Sequence, residues 1–203
     1  HDDALTALRG HVDARTGKPR LHLDIRFSGS VDAIVALNQG RCVMAGFHTP
    51  QGAPVGSLAE RTYKPLLKPG LHKLIGFAVR TQGLMVRPGN PLCIAGLADL
   101  ARKEVRFVNR ALGTGTRVLL DELLAGASID TSRVQGYEHA EPSHTAVAQS
   151  VASGQSDAGL GIEAAARARG LMPSGFSLDA SLTIFAGSRC NSRATSSIGL
   201  PGT

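Results

Sequence analysis

Tryptophan is missing from this chain of 203 residues, and aromatic residues make up only 4% of it. That scarcity argues against a stacking platform for carbohydrates or nucleic-acid bases. Cysteine is also sparse: Cys42, Cys93 and Cys190 are widely and irregularly spaced. An odd, unpatterned set builds neither a disulfide framework nor a cysteine zinc site, so these read as free thiols. No apolar run approaches the roughly 20 residues that span a bilayer, so no membrane insertion is expected. The net charge is +6, but the basic residues are scattered, without the block expected of a nucleic-acid arm. Such a balance suits an anionic ligand. The sequence opens at His1, with neither initiator Met nor signal peptide, and is expected to be a processed product or a piece of a longer protein.

Glycine is what the chain has in quantity, 24 residues, which fits the tight strand–helix turns of α/β folds. The most informative turn is Asn109-Arg110-Ala111-Leu112-Gly113-Thr114-Gly115-Thr116-Arg117. It lies between a strand expected over 105–108 and a helix expected over 116–125. Glycine lets backbone approach a ligand, and the helix N-terminus aims unpaired N–H groups at it, favouring an anion. Thr114 and Thr116 add hydroxyls; Arg110 and Arg117 add positive charge. Val118 stands where a dinucleotide fingerprint needs its third glycine, and there is no Gly-Lys-Ser/Thr.

The remaining pattern alternates strand and helix. Leu5, Leu8 and Val12 predict a helix over 3–14. Leu21, Leu23, Ile25 and Phe27 alternate with polar residues, predicting a strand over 21–27 that breaks at Ser28-Gly29-Ser30 before a helix from Val31. Strands are expected over 42–47, 74–79, 135–138 and 158–162, helices over 97–102 and 163–169, and a helix capped by residues 141–145. Residues 49–56 read as loop, 84–91 as a chain crossing between lobes, and 182–185 as one more strand. The stretch 187–203, rich in Ser, Gly, Arg and Thr, is expected to lack stable structure. This order argues for parallel sheets with helices on the faces.

Four turns share the polar-turn-into-helix design: residues 1–3, 28–30, 109–117 and 143–145. One Ser/Thr cap is ordinary, but four in one α/β chain point to ligand contacts at strand ends. His48 and His144 fit no zinc spacing, and no Gly-x-Ser-x-Gly elbow accompanies Ser30 or Ser143. No catalytic or metal residue is therefore assigned. Asp157 and Glu163 either cap and pack strand ends, or receive a cationic group, or orient an arginine.

Several blocks resemble a known family: Gly29-Ser30, Ala45-Gly46-Phe47-His48, Arg80-x-Gln82-Gly83-Leu84, Pro88-Gly89-Asn90-Pro91, the Asn109–Arg117 turn, Gly136-Tyr137-Glu138, His144-x-Ala146-Val147-Ala148 and Asp157-x-Gly159-Leu160-Gly161-Ile162-Glu163. They resemble the periplasmic-binding-protein-like domain of bacterial helix-turn-helix transcriptional regulators and molybdopterin-biosynthesis fusions, a LysR-like substrate-binding domain. The resemblance covers roughly residues 1–171. It implies an α/β, type II periplasmic-binding-protein-like fold, two lobes with a ligand cleft between them. Lobe one would comprise 1–82 and 172–186, lobe two 83–171, followed by the 187–203 tail. The ligand implied is a molybdate-like or tungstate-like oxyanion, with no other cofactor and no enzymatic activity. The expected contacts are Ser30, Asn109, Arg110, Thr114, Gly115, Thr116 and Arg117, with His1, Ser28, His48, Arg80, Ser143, His144 and Thr145 beside them. DNA would be reached only through a domain absent from this chain; a homodimer is allowed, and the location is cytoplasmic or, alternatively, periplasmic. Rival readings are the binding component of an anion ABC transporter and an enzyme acting on a small anionic substrate. Two departures from the pattern are expected: a strand before His1 is lacking, and the strand returning after Leu171 is not recognisable.

Overall fold

The computed structural model describes residues 3–14, 22–50 and 52–188. Helix α1 (Asp3–Asp13) stands where the apolar spacing put it. Residues 22–29, by contrast, are irregular rather than a strand. Alternation decides which side chains would share a face, but a strand also needs a neighbour for its N–H and C=O groups. No described strand pairs with this segment.

Helix α2 (Ser30–Asn38) follows, burying Ile34 and Leu37 on one face. Strand β1 (Met44–Pro50) buries Ala45 and Phe47 alternately and takes in Thr49 and Pro50, residues expected in a loop. Helix α3 (Leu58–Tyr63) starts at a reciprocal cap. The Ser57 hydroxyl accepts the Glu60 N–H at 3.2 Å, while the Glu60 carboxylate accepts the Gly56 N–H at 2.6 Å.

The two longest strands lie side by side in the sheet. Strand β2 (His72–Val86) takes in residues 84–86, the first part of the segment expected to cross between lobes. Strand β6 (Met172–Ser188) is the returning strand that was unrecognisable in the sequence, and it contains residues 182–185. It runs antiparallel to β2 from His72↔Ser188 to Val86↔Met172. The register shifts between Gly76 and Ala78, Arg80 and Gln82, and Gly83 and Met85. The tail expected from residue 187 begins inside this strand; its remaining residues, 189–203, lie outside those described.

The rest of the chain builds the other end of the sheet. Strand β3 (Phe107–Arg110) leads into helix α4 (Gly115–Gly126), β4 (Ala140–Glu141) into α5 (His144–Ala152), and β5 (Ala158–Ile162) into the short α6 (Glu163–Arg167). Residues 135–138, expected as a strand, form a turn instead, with Gly136 at φ +89 and tight against the Phe107 carbonyl. That left-handed backbone is incompatible with an extended strand. Residues 97–101 form a short 3-10 turn.

The sheet order is β1-β6-β2-β5-β3-β4. Pairings around β2 and β6 are antiparallel, whereas β3 is parallel to both β4 and β5. Leu84, Val86, Phe107, Leu120, Leu124 and Leu160 pack on one face of the central strands. Met85, Val108, Val147, Val151 and Ala165 pack on the other. A sheet covered on both faces explains the uninterrupted burial of β3. A third cluster joins Ile34, Leu37, Phe47 and Tyr63 to Val118 of α4. Among the described residues no helix is long and apolar enough to cross a membrane.

Candidate functional site

Three helices begin with a buried residue: Ser30 opens α2, Gly115 opens α4 and His144 opens α5. The first N–H groups of a helix have no partner within it and carry the positive end of its dipole. Thr114 and Ser143 each satisfy one of these groups by capping, accepting from the Arg117 N–H at 3.3 Å and the Ala146 N–H at 3.0 Å. The cap of α2 is Gly29, which offers no side chain.

Tertiary packing draws these starts together. The Val31 N–H donates to the Gly113 carbonyl at 3.2 Å, tying the α2 turn to the α4 turn. A Cβ on Gly115 would lie 2.7 Å from the His48 Cβ and 3.1 Å from the Ser30 Oγ. Only glycine permits that approach. One residue on, the Thr116 hydroxyl donates to the Gln82 Oε1 at 2.8 Å. Gln82 stands in β2 opposite Ile162, and its neighbour Gly83 opposite Gly161. A Cβ on Gly161 would lie 3.4 Å from the His144 Nδ1. Ser30, His48, Gly115, Thr116 and His144 therefore line one continuous path, with Gln82 between them. An open surface depression lies elsewhere, beside α3, lined by Val55, Gly56, Glu60 and Lys64 among others.

The other expected contacts are engaged differently. Asn109 donates from Nδ2 to the Tyr137 carbonyl at 3.0 Å and accepts the Arg110 N–H at 2.9 Å. Arg110 donates from Nη1 to the Glu141 carbonyl at 2.8 Å, bracing β3 against β4. Arg117 is buried, donates from Nε to Asp121 at 3.0 Å and stacks 4.0 Å over the Tyr137 ring. Burial opposes its charge, but Tyr137 and Asp121 more than compensate, so its pKa rises. Tyr137 in turn donates to Asp121 at 2.6 Å. Ser28 and Thr145 are exposed, and Arg80 sits in β2 opposite Ser181. His1 lies outside the described residues.

Gln82 and Tyr63 lie beside Thr116 and Ser30 and are not among the expected contacts. Gln82 leaves a signal in hindsight: a polar residue opening the apolar run Gly83-Leu84-Met85-Val86, and it is almost fully buried. Tyr63 reads as core and leaves none. Of the roles open to Asp157, the structure shows it orienting arginines. Arg106 donates to it from Nε and from its backbone N–H at 2.9 and 3.0 Å, with Arg87 at 3.3 Å. The Arg106 guanidinium holds this carboxyl below the usual range. Among the described residues no group of three or more His, Cys, Asp and Glu side chains could hold a metal ion.

Residues 12–172 match the PBP superfamily domain. YvgK of Bacillus subtilis strain 168, an uncharacterized protein, is 37% identical over 141 residues, 70% of this chain and 46% of YvgK. The chain thus spans about half the length of that relative. The regulatory domain of CcmR from Synechocystis PCC6803, solved in complex with 2-PG, superposes with a TM-score of 0.67 at 14% identity, covering 94% of this chain and 84% of that one. A sulfate-bound OxyR2 regulatory-domain variant from Vibrio vulnificus gives 0.62 at 14% identity, covering 94% and 82%. An ArgBP variant from T. maritima gives 0.60 at 14% identity, covering 91% and 70%. At these identities the likeness is one of fold. With residues 12–172 matched and this fold shared, the chain belongs to the PBP superfamily domain family and has the type II periplasmic-binding-protein-like α/β architecture.

Proposed function

We propose that this domain senses a small oxyanion, molybdate or a close analogue, as the ligand-binding module of a bacterial transcriptional regulator. The observation that carries the reading is the convergence of the α2, α4 and α5 N-termini on Ser30, Gly115 and His144. Three dipole ends facing one region raise the local potential for an anion, and the buried Ser30 hydroxyl supplies a donor. Sulfate, bound to the OxyR2 variant, is an oxyanion of the same class.

In this reading residues 1–82 and 172–186 form one lobe and 83–171 the other, with β2 and β6 running between them. Ligand would be taken up as the lobes part and close again, the strands flexing at the register shifts near Arg80 and Gly83. Closure would then bias an attached DNA-binding domain. Ser30, His48, Gly115, Thr116 and His144 form the ligand wall. Arg110 and Arg117 add positive field from behind it while bracing β3 and α4. Calorimetry against molybdate, tungstate, sulfate, phosphate and small carboxylates tests the proposal. One oxyanion should bind, and Ser30→Ala should weaken it about tenfold, the loss of one hydrogen bond to a charged ligand. Binding of none of them would end the reading.

A further inference from the structure

Tyr63 closes α3, and its ring packs on Phe47 with centroids 5.0 Å apart. The residue is 3% exposed, and its hydroxyl lies beside Ser30 without reaching hydrogen-bond geometry to any partner. An unpaired buried hydroxyl is a cost that phenylalanine in the same place would avoid. Its surroundings are also fixed. The Asn38 amide, at the end of α2, donates to the Leu66 carbonyl at 2.8 Å, holding α2 to the turn that follows α3. Burial pushes the phenol up to about 12, with Ser30 pulling the other way, so it stays a neutral donor at neutral pH.

We infer that Tyr63 is a positioning residue of the anion site: with ligand present its hydroxyl donates to the Ser30 Oγ, which turns the Ser30 hydroxyl proton towards the anion. The orphan donor and the first residue of α2 then complete one relay. Ser30 lies close to both the α4 start at Gly115 and Tyr63. The relay rests on the oxyanion-sensing reading and specifies how one wall of that site is held.

The chain has no Trp and 2 Tyr, so its intrinsic fluorescence is tyrosine emission. The second, Tyr137, is bound to Asp121. Wild type, Tyr63→Phe, Ser30→Ala and the double variant are titrated with molybdate, sulfate and phosphate, following emission and heat. The anion that binds wild type should change its emission, and that change should vanish in Tyr63→Phe. Affinity of Tyr63→Phe should fall about fivefold, the scale of one hydrogen bond, while its Tm holds or rises. The double variant should bind no worse than Ser30→Ala. An unchanged affinity in Tyr63→Phe, an emission response that survives it, or a loss fully additive with Ser30→Ala would each overturn the relay alone. Wild type binding none of the three would overturn the relay and the sensing reading together.

Discussion

Replacing Gly115 with alanine tests the packing that assembles the site. The new methyl would sit 2.7 Å from the His48 Cβ and 3.2 Å from the His48 carbonyl oxygen. Carbon atoms in contact settle at about 3.5–4.0 Å, so α4 or β1 must move by about 1 Å. Neither neighbour is the tip of a flexible side chain that could swing aside. Overpacking of this kind costs about 1–3 kcal/mol, and the gain in helix propensity, at most about 1 kcal/mol, offsets part of it. A net loss of about 1–2 kcal/mol should therefore appear in urea unfolding, as a lower midpoint at unchanged slope. Gly126, the last residue of the same helix, provides the control, because a Cβ there would meet nothing within 4 Å. Gly126→Ala should be neutral or stabilising by up to about 1 kcal/mol. If Gly115→Ala proved as stable as wild type, or if both variants shifted alike, the close approach of α4 to β1 would be wrong.

Other consequences follow from named contacts. The Asp157 carboxyl is depressed in the folded state, so its contribution is present above the ordinary carboxylate value and lost as pH falls through the folded one. Asp157→Asn should flatten the stability profile below about pH 4, in denaturation followed by circular dichroism. Arg117→Met leaves the Asp121 carboxylate and Tyr137 face without their cation and should cost about 2 kcal/mol in the same unfolding assay. Ser143→Ala removes the α5 cap and should cost about 1 kcal/mol, whereas Ser143→Asp should retain most of it.

Local rules carried far where the signal was local. The β3–turn–α4 unit could be read from its apolar run, its glycines and its capping threonine, because all three act within a few residues. The α5 cap at Ser143 and the burial of β5 were legible for the same reason. Site residues were harder. Asn109, Arg110 and Arg117 have the chemistry of anion contacts, but the Tyr137 carbonyl, Glu141 and Asp121 that engage them are 28, 31 and 4 residues away. A sequence displays a side chain's capacity to bond, not which partner reaches it first.

Composition, the family blocks and helix periodicity determined the α/β class and the turns where helices begin, since caps, glycine and apolar spacing are short-range causes. Tertiary structure alone decided which extended segments become strands. The well-patterned stretch 22–29 stays irregular for want of a neighbour, while Met172–Ser188, interrupted by Pro173 and Gly175, becomes the longest strand because β1 and β2 flank it. It also decided that Ser30, Gly115 and His144 share one region, and that Tyr63 lies beside Ser30. Pairing and burial depend on backbone groups and surfaces far apart in the chain, and those meet only when the sheet closes.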